Sequence, residues 1–545
     1  MLGLMQDAPL TIDTILRRGE RYYPDQSLVT RRVDGIERIT FADVASNARK
    51  IAGALDGLGI SADARVGSFG WNTARHLELY FGVPATGRVL HTINLRYLPE
   101  HVIFTVNHAE DEAVFVDRSL MPLFGQYLPS LEAVKHVIVM DDGATGDLLD
   151  DSRIVLLDEL LAGADEVDLN GRVGDERTAA ALCYTTGTTG NPKGVLYSHR
   201  SIWLHGNAGS AATGTAVTEH DNILPVVPMF HAMAWGIPYT AILAGAALTM
   251  PGPDLSPAGL LDLMESEKVT FASGVPTIWM GMLPMLEGRD LSSITRVVGG
   301  GSAIPKSLSE GWRKAIGVPI TQGWGMTETS PVGSLSTLRS AHDDASEDER
   351  ADVRATAGIA LFGLEMRIVE SETRAELPWD DEASGELEVR GPWVAKQYYK
   401  TDGPGEQFSP DGWLRTGDVA SISPLGYMRL VDRTKDLVKS GGEWISSIDL
   451  ENTIMSHPKV AEAAVIAVPH PKWMERPLAC VVVKPGETLT REEVLDFMGE
   501  RVSKWQLPDD VVFIDEIPKT GVGKFSKKTL REKFSSYQFP AGAPN

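Results

Sequence analysis

The stretch Ala179-Ala-Ala-Leu-Cys183, continued by Tyr184-Thr-Thr-Gly-Thr-Thr-Gly-Asn-Pro-Lys-Gly194, carries the strongest structural signal in the chain. Its first five residues are apolar and predict a buried strand. The glycines that follow free the backbone to curl, so that successive N–H groups can converge on an anion. Four threonine hydroxyls and Lys193 add further donors. The stretch therefore predicts a phosphate-binding loop at the end of a strand.

The spacing of this loop differs from that of a P-loop. A Walker A motif requires Gly-x-x-x-x-Gly-Lys-Ser/Thr followed by a helix. Here Lys193 follows Asn191 and Pro192, and Gly194-Val-Leu-Tyr-Ser198 is typical of a strand. The pattern excludes a P-loop ATPase and predicts a loop between two strands. The alternative, an ordinary glycine-rich turn, is the weaker interpretation because Thr, Gly and Lys are so dense here.

Length and charge limit the classes of function open to the chain. Its 545 residues exceed one ordinary domain core, so two or more domains are expected. Lys and Arg number 51 against 74 Asp and Glu, and the net charge of -23 repels nucleic-acid phosphates and anionic lipid heads. We therefore expect no nucleic-acid partner. A small anionic ligand needs a local site of N–H groups and a few cations.

Cysteine usage and hydropathy bear on the compartment. Cys183 and Cys480 are too few for a disulfide framework or a four-ligand zinc site. The N-terminal residues 1–7 have neither the basic region nor the long apolar region of a secretory signal. The most apolar stretch, 236–250, is shorter than the ~20 residues that a membrane span needs. These features predict a cytoplasmic protein with no integral membrane segment.

Outward from the loop, helix and strand patterns alternate. From Phe41 onward apolar residues recur at helical spacing, and Thr40 with Asp43 predicts a capping box at the start of that helix. Short apolar runs such as 136–140 lie between helical segments, which predicts a parallel or mixed α/β sheet. After residue 358, short strands with turn signals predict a β-rich subdomain. The C-terminal residues predict a separate small domain of strands and helices.

Seven further motifs complete the pattern. They are Pro228-Met-Phe-His231, Gly299-Gly-Gly-Ser-Ala303, Gln322-Gly-Trp-Gly-Met-Thr-Glu328, Gly412-Trp-Leu-Arg-Thr-Gly-Asp418, Asp432-Arg-Thr-Lys-Asp436, Lys439-Ser-Gly-Gly-Glu-Trp444 and Pro518-Lys-Thr-Gly-Val-Gly-Lys524. In this order, and with the loop ending at Gly194, they resemble the motifs of the adenylate-forming enzymes. That superfamily includes acyl-CoA synthetases, peptide-synthetase adenylation domains and luciferases. The resemblance runs from about Thr11 to Phe534, nearly the whole chain.

The resemblance implies a fold of class α/β plus β, in three parts. Residues 1–431 would form a large ATP- and acyl-binding domain of α/β layers with a β-rich subdomain, 432–436 a hinge, and 437–545 a small mobile α+β domain. It also implies a reaction that uses ATP, Mg²⁺ and coenzyme A. A carboxylate attacks the α-phosphate of ATP to give an acyl-adenylate and pyrophosphate, and a thiol then displaces AMP. Because carboxylate and phosphate are both anions, the site must align them and neutralise the developing charge.

By the same resemblance, each motif contributes residues to one site. The ATP- and AMP-binding set is Thr185, Thr186, Gly187, Thr188, Thr189, Gly190, Lys193, Gly301, Ser302, Ala303, Gln322, Gly323, Trp324, Gly325, Thr327, Asp418, Arg433 and Lys435. The catalytic set is Thr185, His231, Glu328 and Lys524, and Thr185 and Glu328 are also the expected Mg²⁺ ligands. Coenzyme A is assigned to Lys439, Ser440, Gly441, Gly442, Glu443 and Trp444, and the acyl pocket to His231, Trp235, Gly300 and Trp324.

The residue types fit these implied roles. A carboxylate oxygen such as that of Glu328 is the ligand that a hard cation prefers, and Asp418 can accept hydrogen bonds from both ribose hydroxyls. Lys524 is a compact charge on a flexible stem, which suits a group that arrives for one step and leaves as its domain rotates about Lys435. His231 and Trp235 each carry two interpretations. The histidine orients the carboxylate or guards the acyl channel, and the tryptophan is a moving gate or an aromatic core plug.

Within the superfamily the chain most resembles bacterial medium- and long-chain fatty-acyl-CoA synthetases, and methylmercaptopropionate-CoA ligases are nearly as similar. The resemblance therefore implies a fatty-acyl-CoA synthetase for a medium- or long-chain acid. The alternative is a ligase for a short-chain or substituted acid such as 3-methylmercaptopropionate. Two other classes stay open: a nucleotide sensor without catalysis, and a module that loads a protein-bound thiol. Related long-chain enzymes also imply a homodimer through the N-terminal domain.

Overall fold

A computed structural model of the chain describes residues 1, 3–185, 191–440, 443–520 and 525–539, and the features below are those of these residues. The strands are β1 (Ser27–Arg31), β2 (Ile36–Thr40), β3 (Arg65–Phe69), β4 (Val89–Thr92), β5 (Asp111–Asp117), β6 (His136–Met140), β7 (Ile154–Leu156), β8 (Ala179–Thr185), β9 (Lys193–Ser198), β10 (Asn222–Pro225), β11 (Ala247–Met250), β12 (Phe271–Gly274), β13 (Arg296–Gly300), β14 (Ile320–Gly325), β15 (Val332–Leu335), β16 (Ile359–Ala360), β17 (Glu365–Val369), β18 (Ser384–Arg390), β19 (Leu414–Ile422), β20 (Met428–Arg433), β21 (Val438–Ser440), β22 (Glu443–Ile445), β23 (Val460–His470), β24 (Met474–Val483) and β25 (Asp510–Phe513). The α-helices are α1 (Ile12–Tyr22), α2 (Phe41–Gly57), α3 (Ala74–Gly82), α4 (Pro99–Ala109), α5 (Met121–Phe124), α6 (Leu157–Gly163), α7 (His199–Ser210), α8 (Ile237–Ala244), α9 (Pro257–Ser266), α10 (Pro276–Met282), α11 (Lys306–Ile316), α12 (Glu347–Arg354), α13 (Ser447–Met455), α14 (Arg491–Gly499) and α15 (Lys527–Lys533).

Two large sheets form the N-terminal body. The first has the strand order β7-β6-β5-β3-β4-β8-β9, and all its pairs are parallel except the β8–β9 hairpin at one edge. The second has the order β16-β15-β14-β13-β12-β10-β11-β1-β2 and is parallel from β14 to β1, with antiparallel strands at both edges. Helices connect the parallel strands, because a parallel pair requires a long crossover. This alternation is the α/β architecture expected from the sequence.

Helices fill the space between the two sheets and cover their outer faces. Apolar side chains of α1, α2, α3, α7 and α8 share one core with strands of both large sheets. Helices α4 and α5 pack on the far side of the first sheet, and α9, α10 and α11 on the far side of the second. The layers therefore run helix, sheet, helix, sheet, helix. Strands covered on both faces carry continuous apolar runs, and 136–140 is one of these.

Helix α2 forms as its sequence predicts. The Thr40 side chain accepts a hydrogen bond from the Asp43 N–H and the Asp43 carboxylate accepts one from the Thr40 N–H, which completes the capping box. Such a cap contributes about 1 kcal/mol to helix stability. The apolar face buries residues including Val44, Ile51 and Leu55 in the central core. Burial of each large side chain stabilises the fold by about 1.5–3 kcal/mol.

Two smaller sheets follow the body. Strands β17 to β20 form an antiparallel four-stranded sheet, which is the predicted β-rich subdomain. The C-terminal sheet has the order β22-β21-β24-β23, and β25 pairs in parallel with β24. Apolar side chains around α13, α14 and α15 pack on this sheet in two clusters of their own. The C-terminal residues thus have their own α+β core.

The segment between these sheets is held from both directions. Strand β20 continues through Arg433, two residues into the predicted hinge, and the Thr434 N–H donates to the carbonyl of Gly417 at 3.0 Å. The buried Asp432 carboxylate accepts a hydrogen bond from the Ser447 N–H at the start of α13, at 2.7 Å. Asp436 pairs with Arg531 of α15. The predicted hinge therefore contacts the β-rich sheet and the C-terminal core together.

None of the helices formed by the described residues is long and apolar enough to cross a membrane. The apolar stretch 236–250 contains α8 and β11 instead, as expected for a buried helix and strand.

Candidate active site

The predicted phosphate loop joins two antiparallel strands. Strand β8 ends at Thr185, and Thr185 pairs with Lys193, the first residue of β9. This pairing agrees with the prediction that the loop joins two strands. The loop residues themselves, Thr186, Gly187, Thr188, Thr189 and Gly190, lie outside the described residues. The structure thus gives the two anchor points of the loop.

Glu328 lies on a turn that the hairpin holds in place. Strand β14 ends at Gly325, and Thr327–Thr329 forms a single 3₁₀ turn. The buried Tyr197 of β9 donates its hydroxyl hydrogen bond to the carbonyl of Thr327, with the two oxygens 2.6 Å apart. This bond links the loop hairpin to the turn, so Thr327 and Glu328 lie beside the same edge of the sheet as Lys193.

The Glu328 carboxylate is buried and bound by a neutral donor. The residue is 4% exposed, and the Tyr398 hydroxyl donates to Oε1 at 2.6 Å. The Nζ atom of Lys193 lies 4.7 Å from the centre of the Tyr398 ring. Burial, and after it the negative charge of Glu328, raise the pKa of the Tyr398 hydroxyl above its ordinary value, so the phenol keeps its proton. Tyr398 therefore contacts both charged groups, the Glu328 carboxylate through its hydroxyl and the Lys193 ammonium through its ring.

A second buried carboxylate, that of Asp418, lies on β19. The indole Nε1 of Trp324 donates to its Oδ2 at 2.9 Å, and the Nε of Arg433 lies 3.0 Å from its Oδ1. The Asp418 charge raises the pKa of the Arg433 guanidinium above its usual value. Burial, followed by repulsion from Arg433, lowers the pKa of Lys435 below its usual value. This group unites four residues that the sequence assigned to nucleotide binding.

Glycine-rich strands bring the remaining predicted residues close together. A Cβ placed at Gly300 would lie 2.8 Å from the carbonyl oxygen of Gly323 and 3.1 Å from the Trp235 ring, so only glycine fits there without a shift. The Gln322 side-chain oxygen accepts a hydrogen bond from the Ile304 N–H at 2.6 Å, which ties the segment containing Gly301, Ser302 and Ala303 to β14. The nucleotide-binding role of Gly301, Ser302 and Ala303 stays a prediction.

Trp235 lies on an unusual turn. Residues Ala232, Met233, Ala234 and Trp235 have positive φ angles of 44°, 53°, 48° and 59°. Left-handed backbone at successive non-glycine residues is strained by about 1–2 kcal/mol for each residue. Such strain persists where the surrounding structure holds it, often at ligand sites. His231 precedes this turn, is half-buried, and donates its N–H to the Pro228 carbonyl at 3.0 Å.

Trp235 also lines a small, mostly apolar cavity of about 40 Å³. The other lining residues come from α7, α8 and the second sheet with its flanking loops: His205, Gly209, Thr215, Ile223, Ile237, Thr240, Phe271, Ser273, Val298, Val332, Leu335 and Leu361. Of the predicted acyl-pocket residues, Trp235 lines this cavity directly. Gly300 lies against the Trp235 ring. The Trp324 ring lies close to Gly333, the neighbour of the lining residue Val332, because a Cβ at Gly333 would be 2.6 Å from it.

The segment predicted to bind coenzyme A lies on the C-terminal sheet. The Lys439 ammonium is 4.9 Å from the centre of the Trp444 ring, and the Lys439 N–H donates to Glu475 at 2.9 Å. Ser440 accepts a hydrogen bond from Arg476 at 2.9 Å. These partners belong to the same sheet, and Trp444 is 49% exposed. Gly441, Gly442 and Lys524 lie outside the described residues, as does the side chain of Glu443.

Sequence reasoning missed three residues of this region: Tyr197, Tyr398 and His205. The buried Nε2 of His205 accepts the Val332 N–H at 3.1 Å, and burial lowers the pKa of this histidine to about 4. Tyr398 stands in Gln397-Tyr-Tyr-Lys400, a loop with no strand or helix period. Each residue acts through a contact with a distant segment. Nothing in the local sequence distinguishes them from ordinary core residues.

Comparison with known proteins identifies the family. The profile of the AMP-binding enzyme family matches residues 16–399, and that of the AMP-binding enzyme C-terminal domain matches residues 449–524. The chain is 44% identical over 538 residues to a long-chain-fatty-acid–CoA ligase of Thermus thermophilus, covering 98% of this chain and 97% of that protein. It is 42% identical over 537 residues to a 3-methylmercaptopropionyl-CoA ligase of Ruegeria lacuscaerulensis, covering 98% and 99%.

Among solved structures, ATP-bound MatB from Rhodopseudomonas palustris superposes with a TM-score of 0.82 at 26% identity, covering 97% of this chain and all of that one. The chain therefore belongs to the AMP-binding enzyme family. These matches confirm the resemblance to adenylate-forming enzymes and the fold expected from it.

Proposed function

We propose that this member of the AMP-binding enzyme family is an acid–thiol ligase that joins a carboxylic acid to coenzyme A and cleaves ATP to AMP and pyrophosphate. Its full-length relatives are CoA ligases, which supports this class of reaction. The observation that supports it most is the series of contacts that joins Lys193 to Glu328 and Trp324 to Asp418 beside an apolar cavity. A phosphate site, a ribose acceptor and a pocket for an apolar tail are the parts that this reaction needs.

In the proposed first step, a carboxylate oxygen of the acid forms a bond to the α-phosphorus of ATP. The bond between that phosphorus and the bridging oxygen of pyrophosphate breaks, and pyrophosphate leaves. Thr185, Lys193 and the loop between them supply donors and positive charge to the phosphates. Asp418 accepts the ribose hydroxyls. Lys524 neutralises charge at the reacting phosphate once the C-terminal domain delivers it.

In the proposed second step, the sulfur of coenzyme A forms a bond to the acyl carbon. The bond from that carbon to the AMP oxygen breaks, AMP leaves with the electron pair, and the thiol proton passes to solvent. The segment Lys439–Trp444 borders the thiol path in this proposal. The division into residues 1–431, 432–436 and 437–545 belongs to it as well, because the same site must present Lys524 in one step and this segment in the other.

The residues present fit a magnesium ion. Glu328 offers a buried carboxylate whose bound partner is a neutral hydroxyl, which leaves its negative charge uncompensated by that bond. The described residues contain no group of three or more His, Cys, Asp or Glu that could hold a metal by themselves. Magnesium in nucleotide sites takes one or two protein oxygens and completes its shell with phosphates and water. Glu328 and Thr185 would hold the ion, and when bound it neutralises phosphate charge.

The proposed acid is a medium- or long-chain fatty acid whose tail contacts the apolar residues behind Trp235. The cavity lining is mostly apolar, and each methylene moved from water into such a site stabilises the complex by about 0.8 kcal/mol, or about fourfold in affinity. A chain of methylenes is the simplest ligand that uses this surface. His231 would then contact the carboxylate end, where the channel meets the nucleotide.

A second candidate acid is 3-methylmercaptopropionate. Its support is the relative of Ruegeria lacuscaerulensis, a 3-methylmercaptopropionyl-CoA ligase as similar to this chain as the fatty-acid enzymes are. A thioether is soft and polarisable, and it packs against apolar and aromatic surfaces as a methylene does. This acid is short, and it buries fewer methylenes against the apolar lining than a fatty acid does.

Two further properties complete the proposal. We expect a cytoplasmic enzyme of fatty-acid metabolism that forms a homodimer through its N-terminal domain. The expected dimer is checked by sedimentation equilibrium, in which a particle of about twice the 59.1 kDa chain mass would agree and a monomer at micromolar concentration would not.

The deciding experiment is a panel of carboxylates assayed for AMP and pyrophosphate release with free coenzyme A. Straight-chain acids of increasing length, benzoate and 3-methylmercaptopropionate are each supplied with ATP and Mg²⁺. We expect kcat/KM to rise about fourfold per methylene until the cavity is full. A maximum at 3-methylmercaptopropionate would favour the second candidate. ATP binding without carboxylate-dependent pyrophosphate release would identify a sensor, and adenylate formation without transfer to coenzyme A would identify a module for a protein-bound thiol.

A further inference from the structure

Tyr398 is the residue through which the Lys193 ammonium and the Glu328 carboxylate are connected. Its hydroxyl donates to Glu328 Oε1 at 2.6 Å, and the opposite part of the same side chain, the ring, faces Lys193 with 4.7 Å from Nζ to the ring centre. A phenol suits both contacts, because its hydroxyl is a donor and its ring face is electron-rich.

The backbone on either side of Tyr398 is hydrogen-bonded to the segments that carry Glu328 and Lys193. The Ala395 N–H donates to the carbonyl of Glu328 at 2.7 Å, and the Tyr399 N–H donates to the carbonyl of Gly194 at 2.8 Å. The segment 395–399 thus forms a strap between the Glu328 turn and strand β9. Because the strap is tied to both, the Tyr398 side chain has little freedom to move relative to either.

We propose that Tyr398 is a positioning residue. It sets the spacing and orientation of the Glu328 carboxylate and the Lys193 ammonium before a nucleoside triphosphate binds. This inference rests on the proposed function, in which both groups bind the phosphates and their cation. By occupying Oε1, the hydroxyl leaves Oε2 as the oxygen of Glu328 open to a cation. The ring holds the ammonium near β9 while the site is empty.

The geometry separates the two contributions of this side chain. A hydrogen bond to a charged group contributes about 1.5–3 kcal/mol, which is about 10- to 150-fold in an equilibrium. A cation over an aromatic face contributes about 0.5–2 kcal/mol, or about 2- to 30-fold. Tyr398→Phe removes the first and keeps the second. Tyr398→Leu removes both.

Tyr399 provides a matched control. It is the adjacent tyrosine of the same strap, and its ring also carries a lysine, with Lys400 Nζ at 5.5 Å from the ring centre. Its ring packs edge-on against His108. Tyr399→Phe therefore tests the loss of a phenol hydroxyl in the same segment without touching the Glu328–Lys193 pair.

The test measures ATP binding by calorimetry, with and without Mg²⁺, and carboxylate-dependent pyrophosphate release as a function of Mg²⁺ concentration. For Tyr398→Phe we expect the half-saturating Mg²⁺ concentration to rise at least tenfold, with KM for the acid unchanged. For Tyr398→Leu we expect ATP binding to weaken a further 2- to 30-fold even without Mg²⁺. Tyr399→Phe should match the unaltered protein in every measurement, and thermal unfolding of each variant shows which are folded.

A double-variant comparison separates positioning from mere packing. In the Glu328→Gln background, Tyr398→Phe should change the Mg²⁺ dependence of ATP binding less than twofold, because the negative charge that the hydroxyl positions is gone. An undiminished effect in that background, an unchanged Mg²⁺ requirement in Tyr398→Phe, or an equal loss in Tyr399→Phe would overturn the inference. If Tyr398→Leu fails to fold, Tyr398→Phe alone decides. Absence of pyrophosphate release from the unaltered protein would contradict the proposed function, whereas the calorimetry would still test the inference.

Discussion

The two buried carboxylates of the site, Glu328 and Asp418, differ in how their charges are balanced. Both residues are 4% exposed. Glu328 receives its hydrogen bond from the neutral Tyr398 hydroxyl, within the N-terminal body. Asp418 receives one from the Trp324 indole and lies against the charged Arg433, which belongs to the predicted hinge.

In the proposed function, this difference gives the two carboxylates different physical tasks. A buried carboxylate with a neutral partner attracts a cation, because burial strengthens its field. A carboxylate already paired with a guanidinium must exchange a partner when a ligand with hydroxyl donors arrives. In the proposed site, ligand binding at Asp418 is therefore coupled directly to the position of Arg433, whereas Glu328 acts on Arg433 through its charge. The Arg433 side chain is 48% exposed, so it can leave toward solvent.

The largest effect is expected from Glu328→Gln. The amide keeps an acceptor for Tyr398 but removes the charge, so kcat/KM for ATP should fall about 10²- to 10³-fold, as when a preorganised transition-state contact is lost. The thermal midpoint should not fall, because the hydrogen bond stays. Steady-state pyrophosphate release and thermal unfolding check both statements, with the exposed Glu372→Gln as control. A loss below tenfold would mean that this carboxylate does not serve the reaction.

The next effect is expected from Asp418→Asn, which breaks the other half of the comparison. One charged acceptor of the ribose is lost and Arg433 loses its partner, so ATP should bind about 10- to 100-fold more weakly. KM for the acid should stay the same. Calorimetric titration with ATP measures the change, and Asp411→Asn, an exposed carboxylate in the turn that precedes β19, is the matched control. Unaltered ATP affinity would remove Asp418 from the nucleotide site.

The stability of the scaffold around the two carboxylates should depend on pH, because the protein buries three neutral histidines. Burial lowers the pKa values of His76, His199 and His205 to about 4. Because these lie below the unfolded value near 6.5, the stability from neutral imidazole is present above pH 6.5 and is lost as pH falls toward 4. Each histidine should cost about 2 kcal/mol of unfolding free energy at pH 5.

His205→Gln checks one of these contributions. Its amide oxygen can still accept the Val332 N–H, but the side chain does not titrate. Urea unfolding at pH 7 and pH 5 should give a smaller loss for this variant than for the unaltered protein. Equal losses in the two proteins would show that His205 is not buried in its neutral form.

The smallest effect is expected on the acyl side, which neither carboxylate contacts. Trp235→Phe shortens the ring that lies against Gly300 and enlarges the cavity, so the preferred acid should become one or two methylenes longer, at about fourfold per methylene. The acid panel measured on this variant and on Trp379→Phe, a half-exposed surface control, checks the shift. An unchanged preference would make Trp235 a core plug rather than a wall of the acyl pocket.

Elements built from neighbouring residues were predictable. The capping box of α2 needs only Thr40 and Asp43, and the hairpin around the phosphate loop needs only a strand, a glycine-rich turn and a second strand. The same holds for the β-rich subdomain, whose strands are separated by their own turn signals. Local propensity and short-range hydrogen bonds decide these structures, and both can be read from consecutive residues.

Contacts between distant segments were not predictable from one sequence. Tyr398 reaches Glu328 across 70 residues, Trp324 reaches Asp418 across 94, and Tyr197 reaches Thr327 across 130. The motif resemblance named four of these six residues but did not pair them. It missed both tyrosines because a buried tyrosine is an ordinary core residue until its hydroxyl has a known partner.

By itself the sequence determined the alternation of helices and strands, the strand pair that flanks the predicted phosphate loop and the family to which the chain belongs. It could do so because apolar periodicity, turn residues and motif order are properties of the chain read in one direction. Only the tertiary structure decided which donor faces each buried carboxylate and what lines the cavity behind Trp235. Those features arise where remote segments meet, and in a densely packed interior the partner of a polar group is set by every neighbour that surrounds it.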